Sequence, residues 1–156
     1  MNLPIIIACE MSSSDWNAFP VAIAWSLADG RIKSTLIQPE QEWLEQEQLL
    51  SLDPDQLFME GHSAKSVLHE LVQDLESEPL YSADIDQVGQ ALDQLYQSLE
   101  GHNDLPLLPL RQLLEDVEDE VEPCREECQS LLQLDPGRAD EQVRLWLEVY
   151  VRLIQD

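Results

Sequence analysis

One acidic residue, Glu10, stands where a short apolar stretch of the sequence ends, and its carboxylate is the kind of ligand that a hard divalent metal ion prefers. The stretch before it, residues 3–9, is rich in isoleucine, which is typical of a strand buried on both faces. Ala8 lies two residues before Glu10. Because side chains alternate along a strand, residues 8 and 10 are expected on the same face, where one offers a carboxylate and the other only a methyl group.

Other acidic residues could add ligands to such a site. Asp84 and Asp86 lie at the start of a predicted helix, and Asp140 and Glu141 lie near the start of another. A shift of one residue on a helix turns a side chain by about 100°, so nearness in sequence does not place an acid in the site. In a chain with 32 Asp and Glu residues, a neighbouring carboxylate is also expected by chance.

Histidine and cysteine side chains contribute no recognisable metal motif. His62, His69 and His102 share no ligand spacing with Glu10 and are predicted to lie on the surface or in loops. Cys124 and Cys128 are four residues apart on a predicted helix. Two thiols without a nearby histidine make a poor zinc site by themselves.

Length and composition predict one globular domain over residues 1–156, since 44% of the residues are hydrophobic. The formal net charge is −24, from 8 Lys and Arg against 32 Asp and Glu. So few cations predict weak binding to nucleic acid or none. Two interpretations of the charge remain: solubility, as in salt-adapted proteins, or an acidic surface for a basic protein partner.

The cysteine content indicates the compartment. Three cysteines, an odd number, argue against a disulfide framework and favour the reducing cytoplasm. No segment approaches the length of a membrane span, so we expect no membrane association.

Three strands are predicted to open the chain as an antiparallel meander. The first covers residues 3–9, the second begins at Pro20, and the third covers residues 31–37. The Ala-Asp-Gly sequence at residues 28–30 is a hairpin signal between the second and third strands.

Helices dominate the rest of the predicted chain. A helix is expected after Pro39, then a short turn or helical segment ending at Gly61, and then a helix over residues 63–76 with Ser63 as its N-cap. Two short strands, at residues 79–82 and 105–110, flank a helix over residues 86–99. The predicted inward residues of the helices are Val67, Leu68, Leu71, Val72, Leu75, Leu92, Leu95, Leu99, Val143, Leu147, Tyr150, Val151 and Ile154. Strands followed by alternating helices predict an α/β fold.

Several segments together carry a family resemblance. "IIIACEMSSSDWNAFPVAIAWSL" resembles the opening of the DEDD-type 3′→5′ exonuclease superfamily, which includes ribonuclease T and polymerase proofreading domains. "LIQPEQEW", "DPDQLFMEG", "PLYSADIDQVGQALDQL" and "PGRADEQVRLW" are similar to later segments of its histidine class. The resemblance spans almost the whole chain. It implies a ribonuclease H-like mixed sheet of five strands, three antiparallel and then two parallel, flanked by helices.

The resemblance also implies where a catalytic centre would stand. Members of the family hold two Mg²⁺ or Mn²⁺ ions with four acidic residues and use a histidine as general base. Position by position, the first aspartate corresponds to Ala8, the glutamate to Glu10 and the second aspartate to Val88. The histidine corresponds to Gly137 and the last aspartate to Gln142. Of the five positions, only Glu10 keeps the family residue.

Two functional hypotheses follow from the resemblance. The first is a catalytically inactive exonuclease-like protein with a binding or regulatory role, which needs no metal cofactor and has an unknown protein partner. The alternative is an active 3′→5′ exonuclease that requires Mg²⁺ or Mn²⁺, with a rearranged site in which Asp84 and Asp86 join Glu10 as metal ligands.

Overall fold

Five strands form one mixed sheet in the order β3-β2-β1-β4-β5, with the strand that ends beside Glu10 at its centre. The computed structural model describes residues 3–13, 18–41, 43 and 54–154. The strands span Ile5–Met11 (β1), Pro20–Ser26 (β2), Ile32–Leu36 (β3), Leu80–Ser82 (β4) and Leu107–Pro109 (β5). The predicted meander and both short strands are confirmed.

The pairing of the strands is antiparallel on one side of β1 and parallel on the other. β1 pairs antiparallel with β2, which pairs antiparallel with β3. On its other side β1 pairs parallel with β4, which pairs parallel with β5. The turn between β2 and β3 contains Gly30 at a φ of 91°, a conformation that favours glycine, and its N–H donates to the carbonyl of Leu27 at 2.9 Å.

In the part of the chain that the structure describes, five α-helices with defined bounds and one 3₁₀ segment surround the sheet. The helices span Pro54–Glu60 (α1), Ala64–Leu75 (α2), Ile85–Gln97 (α3), Glu118–Leu132 (α4) and Ala139–Ile154 (α5), and the 3₁₀ segment spans Leu110–Val117. Ser63 caps α2 as predicted, since its side chain accepts from the N–H of Ser66. The helix predicted after Pro39 lies outside the described residues except at positions 39–41 and 43.

The two faces of the sheet carry separate layers of helices. Helices α2 and α3 cover the face that displays Ile5, Ile7 and Cys9. The 3₁₀ segment, α4 and α5 cover the other face, which displays Ile6 and Ala8. Side chains of β1 are therefore buried on both sides, which explains its continuous apolar sequence. In the described part of the chain, no helix has the length and hydropathy needed to cross a bilayer.

A polar link fastens α2 to the sheet. The indole N–H of buried Trp25 donates to Asp74 at 2.9 Å, and the ammonium group of Lys33 lies 2.9 Å from the same carboxylate. Lys33 also pairs with Glu70 at 3.0 Å. Trp25 itself is 1% exposed and packs in the core.

Several residues predicted to face inward are instead exposed. Val72 is 49% exposed because α2 packs against the rest of the protein on one side only. Its buried face is therefore narrower than predicted and excludes Val72. Leu99 is 43% exposed because α3 ends at Gln97, before it. At the end of α5, Val151 and Ile154 are also exposed, whereas Leu145 and Val149 are buried together with the predicted Val143 and Leu147.

Candidate functional site

Ala8 and Glu10 lie on the same face of β1, the face covered by α5. Ala8 is 7% exposed and packs in the hydrophobic cluster that includes Val143 of α5. Glu10 is half-buried and lies two residues closer to the end of the strand. A methyl group in van der Waals contact with the helix layer therefore precedes the carboxylate.

The carboxylate of Glu10 binds the first turn of α5. Its Oε2 accepts a hydrogen bond from the backbone N–H of Ala139 at 2.9 Å. The residue before Ala139 is Arg138, whose side chain has no acceptor and cannot serve as an N-cap. Glu10 thus caps α5 from a distant strand, satisfying a donor at the end of the helix where its dipole favours a negative charge.

A tight turn leads into α5. The side chain of Asp135 accepts from the N–H of Gly137 at 2.8 Å, and the N–H of Arg138 donates to the carbonyl of Asp135 at 3.1 Å. The guanidinium group of Arg138 pairs with Asp140 at 3.3 Å and with Glu141 at 3.1 Å. The side-chain hydrogen bond that Arg138 donates to Asp140, with the charges of Asp140, Glu141 and Glu10, raises the pKa of Arg138, which remains a cation.

An open cavity of about 350 Å³ lies between the ends of β1, α3 and α5. Three of the five positions taken from the resemblance, Glu10, Gly137 and Gln142, line it together. Gln87 and Arg138 complete its polar wall. The other lining residues are Cys9, Met11, Ser13, Pro136 and Ala139. The cavity thus presents one carboxylate already hydrogen-bonded to a helix, one guanidinium group, two carboxamides and the hydroxyl of Ser13.

Val88 does not reach this cavity. It is 1% exposed and packs in the cluster between the sheet and helices α2 and α3, on the opposite face from Glu10. The residue of α3 that lines the cavity is its neighbour Gln87. The expected position of the second carboxylate is therefore a core position in this fold, and a rotation of one residue along α3 accounts for the difference.

Asp84 and Asp86 are also outside the cavity lining. Asp84 is exposed and caps α3, where its Oδ1 accepts from the N–H of Gln87 at 3.1 Å. Asp86 is exposed in the first turn of the same helix. Both carboxylates lie at the N-terminal end of α3, where the positive end of the helix dipole stabilises a negative charge. The structure does not bring either into the group formed by Glu10, Gly137 and Gln142.

The buried thiol of Cys9 is unreactive, and the three histidines do not line the cavity. Burial, with the nearby charge of Glu10, raises the pKa of the Cys9 thiol to about 12, so the thiol stays protonated at neutral pH. His62, His69 and His102 are exposed, as predicted.

Solved structures with a similar architecture include exonuclease I enzymes. The moderately thermophilic enzyme from Methylocaldum szegediense is 11% identical to this chain with a TM-score of 0.61. E. coli exonuclease I in complex with a dA16 oligonucleotide is 9% identical with a TM-score of 0.61, and its complex with a 5cy-dA13 oligonucleotide is 8% identical with a TM-score of 0.59. No family model matches the sequence, and no curated protein matches it.

The chain has the fold of the matched part of exonuclease I. Each match covers 97% of this chain, and 41%, 41% and 40% respectively of the matched chains, so this chain spans about two fifths of their length. The predicted ribonuclease H-like sheet, with three antiparallel and two parallel strands, is confirmed by the strand order and by this likeness.

The side chains at the exonuclease-like site do not fit a pair of divalent ions. Residue 8 offers a methyl group, Gly137 offers no side chain, and Gln142 offers a neutral amide. One oxygen of Glu10 is bonded to an N–H, and the cation Arg138 lines the same cavity. Within residues 3–13, 18–41, 43 and 54–154, no group of three or more His, Cys, Asp or Glu side chains could hold a metal. Mg²⁺ or Mn²⁺ needs several oxygen ligands that this donor set lacks.

Sequence reasoning missed Gln87, Arg138 and the capping role of Glu10. One signal pointed to the cap: the turn before α5 ends in Arg138, where helices usually carry Ser, Thr, Asp or Asn. The N–H groups at the start of a helix without a local cap need other acceptors, such as water or a side chain from a distant segment. No comparable signal in the sequence distinguished Gln87 from Val88.

Proposed function

We propose that this chain is a catalytically inactive exonuclease-like domain that acts by binding a partner. The observation that carries this proposal is the hydrogen bond between Glu10 and the N–H of Ala139. The acid at the family's glutamate position stabilises the end of a helix, which is a structural role. Nothing in this role requires a metal ion or a reacting phosphate.

The surroundings of Glu10 support the same proposal. In a two-metal site, neighbouring carboxylates share the positive charge of the ions and tolerate one another for that reason. In this chain Ala8 stands at the position of one such carboxylate and carries no charge, and Arg138 places a cation at the cavity. The positive end of α5 and the guanidinium group together compensate Glu10 without a metal.

We propose a protein with a basic surface as the partner. The net charge of −24 repels polyanions such as nucleic acids and attracts basic proteins. Residues 115–127 concentrate this charge on the 3₁₀ segment and α4, where the exposed acids are Glu115, Asp116, Glu118, Asp119, Glu120, Glu122, Glu126 and Glu127. Arg125 in the same stretch is paired with Glu122 at 2.7 Å.

A nuclease assay tests the loss of catalysis. Labelled single-stranded DNA is incubated with the protein and either Mg²⁺ or Mn²⁺, with the Glu10→Gln variant in parallel. We expect no digestion above a protein-free control. Digestion by the natural protein that disappears in Glu10→Gln would instead support the active exonuclease with a rearranged site, and variants of Asp84 and Asp86 would then show whether they serve as its ligands.

A binding assay tests the partner. Fluorescence anisotropy compares a labelled single-stranded oligonucleotide with a labelled lysine-rich peptide at physiological salt. We expect the peptide to bind and the oligonucleotide to show no affinity tighter than about 1 µM, the benchmark for non-specific contact. Substituting Glu118, Asp119 and Glu122 by glutamine should weaken peptide binding. Preference for the oligonucleotide would contradict the proposed partner class.

A further inference from the structure

The thiols of Cys124 and Cys128 face each other across one turn of α4, with their sulfur atoms 4.0 Å apart. Neither cysteine is in a disulfide. Cys128 is fully buried, and Cys124 is half-buried, so solvent reaches the pair from the Cys124 side. Neither the family resemblance nor the proposed function uses these two side chains.

The distance between the two sulfur atoms is compatible with a metal ion bound between them. A zinc–thiolate bond is about 2.3 Å long, so two such bonds span about 4.6 Å when collinear and about 3.8 Å at a tetrahedral angle. The observed 4.0 Å lies between these limits and corresponds to an angle at the metal of about 120°. A two-coordinate ion prefers collinear bonds, so the two sulfur atoms must move apart from 4.0 Å to seat one.

The number of ligands selects the kind of ion. Zinc in a structural site takes four protein ligands, and the part of the chain that the structure describes has no group of three metal-binding side chains. Soft monovalent ions such as Cu(I) favour thiolates and form stable complexes with only two of them. We propose that Cys124 and Cys128 form a two-thiolate site for a soft cation of the Cu(I) type. This site is independent of the proposed function.

The charge balance of binding is simple. Each thiol loses its proton to solvent, two sulfur–metal bonds form, and no electron is transferred, so a monovalent ion gives a complex with a net charge of −1. The positive charge of Arg152 on α5 favours the Cys124 thiolate. Burial and the neighbouring Cys128 outweigh it and raise the pKa of Cys124 to about 11. The Cys124 thiol therefore stays protonated at neutral pH until a metal displaces its proton.

Metal binding would also brace a weak turn of α4. Pro123 lies inside this helix and has no N–H to donate to the carbonyl four residues earlier. A sulfur–metal–sulfur bridge between positions 124 and 128 holds the following turn closed. The expected consequence is a rise in the melting temperature when the ion binds.

Competition for Cu(I) tests the proposal. The full chain, reduced and kept free of oxygen, is titrated into the coloured Cu(I)–bathocuproine disulfonate complex, and the loss of colour measures copper withdrawn by the protein. The matched control is Cys9→Ser, which removes the third thiol, a buried one on the opposite face of the sheet. We expect the natural protein and Cys9→Ser to withdraw one copper ion per chain and to gain melting temperature with copper.

Cys124→Ser and Cys128→Ser should both lose this withdrawal and the gain in melting temperature. Circular dichroism confirms that each variant is folded, and Cys124→Ala, at the half-buried position, serves if a serine variant is not. Withdrawal that survives in a folded Cys124 variant, or that disappears in Cys9→Ser, would overturn the proposal. So would a natural protein that withdraws no copper.

Discussion

The Oε2 atom of Glu10 accepts a hydrogen bond from the backbone N–H of Ala139, which lies 129 residues later in the chain, at 2.9 Å. This contact joins the end of the central strand to the start of the last described helix. It gives a specific use to an acid that the sequence suggested as a metal ligand. Its strength can be measured directly.

Replacing Glu10 by alanine should lower the free energy of unfolding by about 1 kcal/mol, the usual cost of losing a helix N-cap. Glu10→Gln should keep most of the stability, because its amide oxygen can accept from the same N–H. Urea unfolding followed by tryptophan fluorescence measures both. Glu126→Gln, at an exposed acid of α4, controls for the change in net charge. Equal stability of Glu10→Ala and the natural protein would contradict the capping role.

Neighbouring substitutions on α3 test which of its residues faces the cavity. Val88→Asp should lower the free energy of unfolding by at least about 3 kcal/mol, because the new carboxylate is buried among apolar side chains without a partner. Gln87→Glu should change it by no more than about 0.5 kcal/mol, since this side chain lines an open cavity. Similar losses for the two variants would show that the orientation of α3 is different.

Substitution of Asp74 tests the link between α2 and the sheet. Asp74→Ala leaves the buried indole N–H of Trp25 without its acceptor and should lower the free energy of unfolding by about 2 kcal/mol. Asp74→Asn keeps an oxygen acceptor and should lose less. Glu70→Ala removes only an exposed ion pair with Lys33 and should cost at most about 1 kcal/mol. Thermal and urea unfolding rank the three variants, and an Asp74→Ala loss no larger than that of Glu70→Ala would argue against the link.

Alkaline pH should destabilise the fold through Cys9. Its pKa is raised from 9.0 to about 12 in the folded protein, so above pH 9 the unfolded chain loses a proton that the folded chain keeps. Stability from this group is therefore unaffected below pH 9 and falls as the pH rises from about 9 towards about 12. Between about pH 8 and about pH 10 the natural protein should lose about 1.4 kcal/mol more than Cys9→Ala does. Urea unfolding at both pH values provides the comparison, and parallel losses would show that Cys9 does not titrate in this way.

Much of the fold could be predicted from local sequence signals. The second strand begins at Pro20 as predicted, Gly30 forms the hairpin turn, and Ser63 caps α2. These features depend on a few consecutive residues, whose φ preferences and alternating side chains are visible in the sequence. The burial of Val72 and Leu99 was predicted wrongly, because it depends on how many layers surround a helix and where the helix ends.

The candidate site was less predictable because it depends on contacts between distant segments. Glu10, Gly137 and Gln142 line one cavity, although they come from two distant segments of the chain. The correspondence of the second aspartate to Val88 depends on a single residue of the alignment, since Gln87 lines the cavity and Val88 lies in the core. The bond from Glu10 to Ala139 involves a backbone N–H, and no residue type identifies such a donor.

The packing of α5 on the sheet also has a consequence for the nascent chain. Helix α5 contacts β1, β2 and β3, so the face with Ile6 and Ala8 lacks this cover until residues 139–154 have been synthesised. At the usual rate of synthesis, of about 5–20 residues per second, the time between the synthesis of Glu10 and that of α5 is on the order of 10 s. An apolar sheet face exposed for that time invites aggregation. The acidic segments made in the interval give growing chains like charges, and mutual repulsion between the chains opposes their association until α5 docks.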